Sequence, residues 1–199
     1  AKQTWNEQMK TKQVNQLLLH EDNLVGADLG AWIASGGGEG LARASSKPRD
    51  ILPMLEEADL RGMGGAGFPT HRKWQAVASQ EATDKWFICN GNEDEPGTFK
   101  DRLLLERAPH QVREGALIAA IATGANHIAM YINPHEETAI ASMRQAIAQW
   151  KACTNPPATI PAQIQVLDVF PSSGLYIGGE ESAAIATVEG GFPFPRRKP

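Results

Sequence analysis

Cysteine is scarce in this 199-residue chain, with only Cys89 and Cys153 present. Two thiols in unrelated contexts build no disulfide framework. A cubane iron–sulfur cluster, which needs four thiolates, has no ligand set inside this chain. A reduced, cytoplasmic setting follows as the expectation. Long apolar runs are also missing. None approaches the ~20 residues that a bilayer-spanning helix needs, and the opening Ala1-Lys2-Gln3-Thr4-Trp5 lacks the apolar stretch of a signal peptide. There is no basic block: Lys and Arg number 19 against 23 Asp and Glu, a formal net charge of −4. Nucleic acid is therefore not an expected partner. No internal repeat is evident, and the only low-complexity stretch is Gly36 to Gly38.

What is present suits a soluble globular protein. Hydrophobic residues make up 42% and charged residues 21%, enough apolar material for a sizeable core in one large domain, or in a domain with an appended arm. Residues 1 to about 22 are polar apart from Val14, Leu17, Leu18 and Leu19, and read as a docking helix or a frayed arm. Leu24 to Ser35 has near-helical apolar spacing and stops at the three glycines. A helix is expected from Pro48 to about Leu60, with Pro48 near its first turn. Thr70 is the expected N-cap of a helix reaching Ser79.

Beyond residue 85 the pattern alternates. Trp86 to Cys89 reads as a buried strand, His110 to Thr123 as a helix stopped by Gly124, and His127 to Asn133 as a second strand. A helix from His135 to Lys151, a third strand from Ile164 to Val169 and a final helix to Val188 follow. This alternation predicts an α/β, Rossmann-like fold, a mainly parallel sheet with helices on both faces, preceded by a helical N-terminal segment. The expected division is residues 1–47 for the arm and helical segment and 48–199 for the sheet-bearing domain. In open sheets of this kind ligands sit beyond the carboxyl ends of the strands.

Three stretches carry the chemistry. The first is Arg61-Gly62-Met63-Gly64-Gly65-Ala66-Gly67-Phe68-Pro69-Thr70, with Lys73 and Trp74 close behind. Four glycines in six residues let backbone N–H groups approach a ligand, most often a phosphate. Gly62, Gly64 and Gly67 form G-x-G-x-x-G, the dinucleotide fingerprint, although here a helix rather than a strand precedes it. Lys73 reads as a point charge for a phosphate or as a solvated surface lysine, and Phe68 as a ring that stacks on a base or as part of the core. The second stretch sets Glu93, Asp94 and Glu95 between Asn90 and Gly97. It reads as a solvated turn, as a cation site without calcium-loop spacing, or as a polar edge in which Asn90 reads a heterocycle. The third, Ser172 to Glu181, puts Gly174, Tyr176, Gly178 and Gly179 before a helix whose N-terminus favours an anion. Glu180 and Glu181 there also suit plain dipole compensation.

Together the three motifs resemble the NADH-binding flavoprotein subunit of respiratory complex I and the diaphorase subunits of NAD-reducing hydrogenases and NAD-dependent formate dehydrogenases. The match is carried by Arg61 to Thr70 with Lys73-Trp74, Asn90 through Glu95-Pro96-Gly97-Thr98-Phe99-Lys100-Asp101-Arg102, Tyr176 to Glu181, and the tail Glu189-Gly190 with Pro195 to Pro199. It spans about residues 30 to 199. The resemblance implies a domain that holds FMN with NAD(H) stacked above it. Gly62, Gly64, Gly65, Gly67, Lys73, Asn90, Asn92, Glu93, Tyr176, Gly179, Glu180 and Glu181 are then the expected cofactor-binding residues. Phe68 would lie on the adenine, and Glu95, the expected catalytic-site residue, at the nicotinamide end. Hydride transfer between NAD(H) and FMN is the implied activity, with electrons passing to iron–sulfur subunits of a multisubunit dehydrogenase. The cofactor does that chemistry, so no side-chain nucleophile and no protein metal site is expected.

The chain departs from the family at four points. Asn92 stands where Asp is usual, Gly178 where Cys is common, and Ala76 where an aromatic often flanks the adenine. The family also continues beyond Lys198-Pro199 into further domains, one bearing a four-iron cluster, so an excised domain or a truncated homologue is expected. Met63, in place of the usual Arg, leans towards the formate dehydrogenase or hydrogenase branch. A non-catalytic FMN- or nucleotide-binding fragment of a larger redox complex is the alternative. A subunit of the sodium-pumping electron-transfer type is a third reading, and the second and third motifs fit it less well.

Overall fold

The structure is a computed structural model that describes residues 20–197. The apolar patch Val14 to Leu19 and the terminal Lys198-Pro199 lie outside the described residues. Three parallel strands, β1 (Trp86–Gly91), β2 (His127–Ile132) and β3 (Gln165–Pro171), form a sheet in the order β1-β2-β3. β2 is central, and its run Ile128-Ala129-Met130-Tyr131-Ile132 is buried throughout, as a strand covered on both faces must be. β1 is an edge strand. It is half-buried rather than buried, and Trp86 is 44% exposed.

The crossovers are helical. α5 (Lys100–Arg107) and α6 (Pro109–Thr123) join β1 to β2, and α7 (Glu137–Ala152) joins β2 to β3. α6 has Pro109 in its first turn and ends at Gly124, whose φ of +74° is the left-handed conformation suited to glycine. Leu117 of α6, with Met143 and Ile147 of α7, packs on Ile128, Met130 and Ile132 to form the main core. α8 (Glu181–Val188) buries the small residues Ala183, Ala184 and Ala186.

Ahead of the sheet come α1 (Leu29–Ala34), α2 (Glu39–Ser46), α3 (Ile51–Glu57) and α4 (Thr70–Ala78). Leu29, Trp32 and Leu41 join the same core cluster. Several expectations need correction here. The helix expected from Leu24 begins only at Leu29, capped by Asp28, whose Oδ1 accepts the Ala31 N–H at 2.9 Å. The helix does stop before the three glycines, at Ala34 with Ser35 as its C-cap. The glycines turn the chain from α1 into α2, a helix that the apolar spacing does not announce. α5 is likewise unannounced, because its start follows the acids, Pro96 and Gly97 of a loop. α3 stops at Glu57 rather than Leu60. Thr70 is the first residue of α4, not its N-cap; Pro69 holds that position, and no side chain caps it. The Thr70 N–H instead bonds the Leu60 carbonyl at 2.9 Å.

Candidate functional site

The glycine loop between α3 and α4 is closed at its neck. Arg61 and Pro69 form an antiparallel bridge, and the Gly62 N–H donates to the Phe68 carbonyl at 2.9 Å. The Arg61 guanidinium straps the turn, bonding both carboxylate oxygens of Asp59 at 3.0 Å and reaching the Gly67 carbonyl at 3.4 Å. Above this neck, a Cβ built on Gly64, Gly65 or Gly67 would meet nothing within 4 Å. Gly65 and Gly67, at φ +109° and +59°, are in the left-handed region that favours glycine. Gly64 has neither that constraint nor a packing neighbour, so its bare backbone is open to close approach of a ligand.

The loop shares two clefts with β1 and with the segment that follows β3. Asn90, near the end of β1, donates from Nδ2 to the Gly179 carbonyl at 2.8 Å and accepts the Asn92 N–H on Oδ1 at 3.1 Å. Asn92 donates to the Leu175 carbonyl at 3.3 Å and accepts from the Ser172 hydroxyl. These bonds tie the exit of β1 to the segment after β3. Glu93 is turned inward, its side chain only 4% exposed. Its two oxygens accept the Asp101 and Arg102 N–H groups at 3.0 Å each, capping the start of α5 from outside the helix. Asp94 accepts from Asn133 at 2.5 Å, while Glu95 stays exposed. Glu180 is the N-cap of α8, accepting the Ser182 and Ala183 N–H groups at 2.9 and 3.0 Å.

Two clefts, each of about 900 Å³, open from this junction and share Gly64, Asn90 and Gly179. The first also holds Gly62, Gly67, Phe68, Lys73 and Glu181. The second holds Gly65, Asn92, Glu93, Glu95, Tyr176 and Glu180. The structure thus brings the expected cofactor-binding residues, with Phe68 and Glu95, to the lining of these two clefts, while Trp74, Gly174 and Gly178 line neither. It adds an apolar wall to the first cleft, made by Trp86 and Ile88 of β1 with Ala184, Ile185 and Val188 of α8. Sequence reasoning missed this wall, yet its signal was there. Trp86, Ile88 and Asn90 alternate along a strand, and Glu181, Ala184, Ile185 and Val188 recur at one-face helical spacing.

The clefts differ in charge. In the first, Lys73 stands with Glu181, 3.3 Å away, and Glu189. Acids dominate the second, where Lys100 is held by Asp101 at 2.6 Å and by Glu93 at 3.8 Å. Among the described residues, no cysteine or histidine lines either cleft. Among the same residues, no group of three or more His, Cys, Asp or Glu is placed to hold a metal ion, and no helix is long and apolar enough to cross a membrane. The side chains of these clefts are equipped to bind and orient a ligand.

Residues 55–199 match the Nuo51 FMN-binding domain family. The chain belongs to that family. This Nuo51-type domain is 40% identical over 189 residues to an NADH-quinone oxidoreductase subunit of Rhizobium meliloti, covering 92% of this chain and 44% of that protein. It is 35% identical over 176 residues to the corresponding NADH-quinone oxidoreductase subunit of Escherichia coli, covering 86% and 40%. With the alpha subunit of the NAD-reducing hydrogenase HoxS of Cupriavidus necator it shares 37% identity, over 77% of this chain and 26% of that one. Among solved structures, an NAD+-reducing nickel–iron hydrogenase in the air-oxidized state superposes with a TM-score of 0.73 at 32% identity, over 86% of this chain and 29% of that one. The Nuo51-type chain spans less than half the length of these relatives.

Proposed function

We propose that this chain is the FMN- and NAD(H)-binding module of a multisubunit oxidoreductase, serving NADH oxidation or NAD+ reduction. The observation that carries the reading is the pair of clefts meeting at Gly64, Asn90 and Gly179. The residues fit a flavin mononucleotide. The open glycine positions admit it, Lys73 suits its phosphate, and the paired amides of Asn90 and Asn92 suit a polar ring edge or hydroxyl chain.

In this reading Gly62, Gly64, Gly65 and Gly67 present backbone to the cofactors. Lys73 and Glu181 flank the first cleft; Asn92, Glu93, Tyr176, Gly179 and Glu180 build the second. Phe68, 51% exposed, stacks on the nucleotide base, and Glu95 meets the nicotinamide end. When bound, FMN supplies the two-electron acceptor for hydride, and the protein contributes orientation and electrostatics. Iron–sulfur subunits of the parent complex take the electrons onward, and the module works in the cytoplasm or peripheral to a membrane complex. The family match, with relatives named as NADH-quinone oxidoreductase and NAD-reducing hydrogenase subunits, supports this assignment.

The test is anaerobic titration of the FMN-reconstituted chain with NADH, followed in the visible spectrum. Bleaching of the flavin band is the expected result. Retained flavin that stays oxidised rejects NADH oxidation by this chain and leaves the binding-only alternative, which also predicts no turnover with ferricyanide.

A further inference from the structure

Tyr131, in the central strand β2, is fully buried, with 0% exposure, yet its hydroxyl has no hydrogen-bond partner among the described residues. A buried O–H of this kind is uncommon and costly in a folded protein. Its place is specific. Tyr131 pairs in register with Asn90 of β1 and Phe170 of β3, so it stands on the sheet face that carries Asn90. Above it lies the turn Tyr176–Gly179. A Cβ added to Gly178 would sit 3.2 Å from the phenol oxygen and would overlap Ser173 Oγ. The serine hydroxyl can rotate away. The phenol, at the end of a rigid ring on a central strand, cannot. The Tyr131 oxygen is therefore the surface on which Gly178 rests, one residue before the Gly179 carbonyl that holds Asn90 at 2.8 Å.

We propose that Tyr131 is a positioning residue of the flavin site. It holds the Tyr176–Gly179 turn at the height where Gly179 meets Asn90 and both clefts, and its O–H donates to that turn when the site is filled. This rests on the flavin reading above. A side chain at position 178 would press on the phenol oxygen as well as on Ser173 Oγ.

The experiment compares the wild-type chain with Tyr131→Phe, Gly178→Ala and the double variant. FMN affinity is read by quenching of flavin fluorescence, and the melting temperature is read without FMN. Tyr131→Phe removes an unpartnered oxygen, so the FMN-free protein should melt at the same or a higher temperature while its FMN Kd weakens about tenfold, the size of one hydrogen bond. Gly178→Ala should also weaken FMN binding, and by less in the Tyr131→Phe background, because the two groups share one space. An FMN Kd for Tyr131→Phe equal to wild type overturns the assignment, whatever the melting temperature does. Equal losses from Gly178→Ala in both backgrounds overturn the shared-space part. A wild-type chain that binds no FMN overturns the flavin reading, and this assignment with it.

Discussion

Lys73 Nζ lies 3.3 Å from Glu181 Oε2, joining α4 to the first turn of α8 across the mouth of the first cleft. The two side chains are 61% and 51% exposed, and exposed pairs contribute about 0–1 kcal/mol to stability. The pairing matters more for ligand charge than for the fold. Lys73→Met should shift the melting temperature of the FMN-free chain very little. It should weaken FMN binding about tenfold or more and flatten its dependence on salt, since a phosphate contact is lost. Calorimetric titration at two ionic strengths checks this.

Glu93 reaches two backbone N–H groups at the start of α5, eight and nine residues ahead of it. Glu93→Ala leaves both donors without that acceptor, the Asp101 N–H in a part-buried setting and the Arg102 N–H in an exposed one. A loss of about 1–3 kcal/mol is expected, together with weaker FMN binding as the 93–98 loop loosens. Glu93→Gln keeps one acceptor oxygen and should fall between the two. Urea unfolding midpoints decide the ranking, and an undiminished midpoint for Glu93→Ala would contradict the capping role.

His110 accepts the Trp150 indole N–H on Nδ1 at 3.2 Å and is fully buried against Trp32. Burial, reinforced by the Arg113 charge, holds its pKa below the ordinary value of 6.5, while the Ala27 backbone and Asp28 oppose the shift. Since the folded value is the lower one, the unfolded chain binds the proton first. His110 therefore leaves stability intact above about pH 6.5 and subtracts from it as pH falls below that value, by up to ~1.4 kcal/mol per pH unit. In His110→Gln the acid limb of the stability curve should be shallower between pH 6.5 and 5. Identical limbs for the two proteins would refute the mechanism.

Cys89, on the face of β1 turned to the core, has its thiol pushed up to about 11 by burial, with a smaller effect from Asp101. Only the thiolate reacts. At pH 8 its alkylation in the folded chain should run about a hundredfold or more slower than that of a free thiol, and should recover on unfolding. Mass-spectrometric labelling by iodoacetamide measures both rates.

The strands and their parallel sense were legible because Ile128 to Ile132 and Trp86 to Cys89 are compact apolar runs separated by helical patterns. What remained hidden was non-local. Gly36 to Gly38 do terminate α1, but their second role was hidden: a Cβ on Gly37 would strike the Trp32 ring and one on Gly38 would strike Pro157 at 2.5 Å. That triplet is a close-packed corner between α1 and α2, and Pro157 is far along the chain. α5 was hidden because its cap, Glu93, lies outside the local window in which capping is read. The three motifs were recognisable from their own residues. The apolar wall of the first cleft needed the sheet to bring Ile88 opposite α8.

The junction shared by the two clefts makes a ligand part of the chain's connectivity. Asn90 and Gly179 are 89 positions apart, and Gly64 comes from an earlier loop. A molecule in contact with all three staples segments that the backbone leaves far apart, and so opposes the opening of either loop by mass action. At a hundredfold excess over Kd such a ligand adds about 2.7 kcal/mol to folding stability. The segments around 61–69 and 172–180 would then be the first to gain protection from proteolysis and amide exchange, and the cofactor would act as a folding partner before it acted as a reagent.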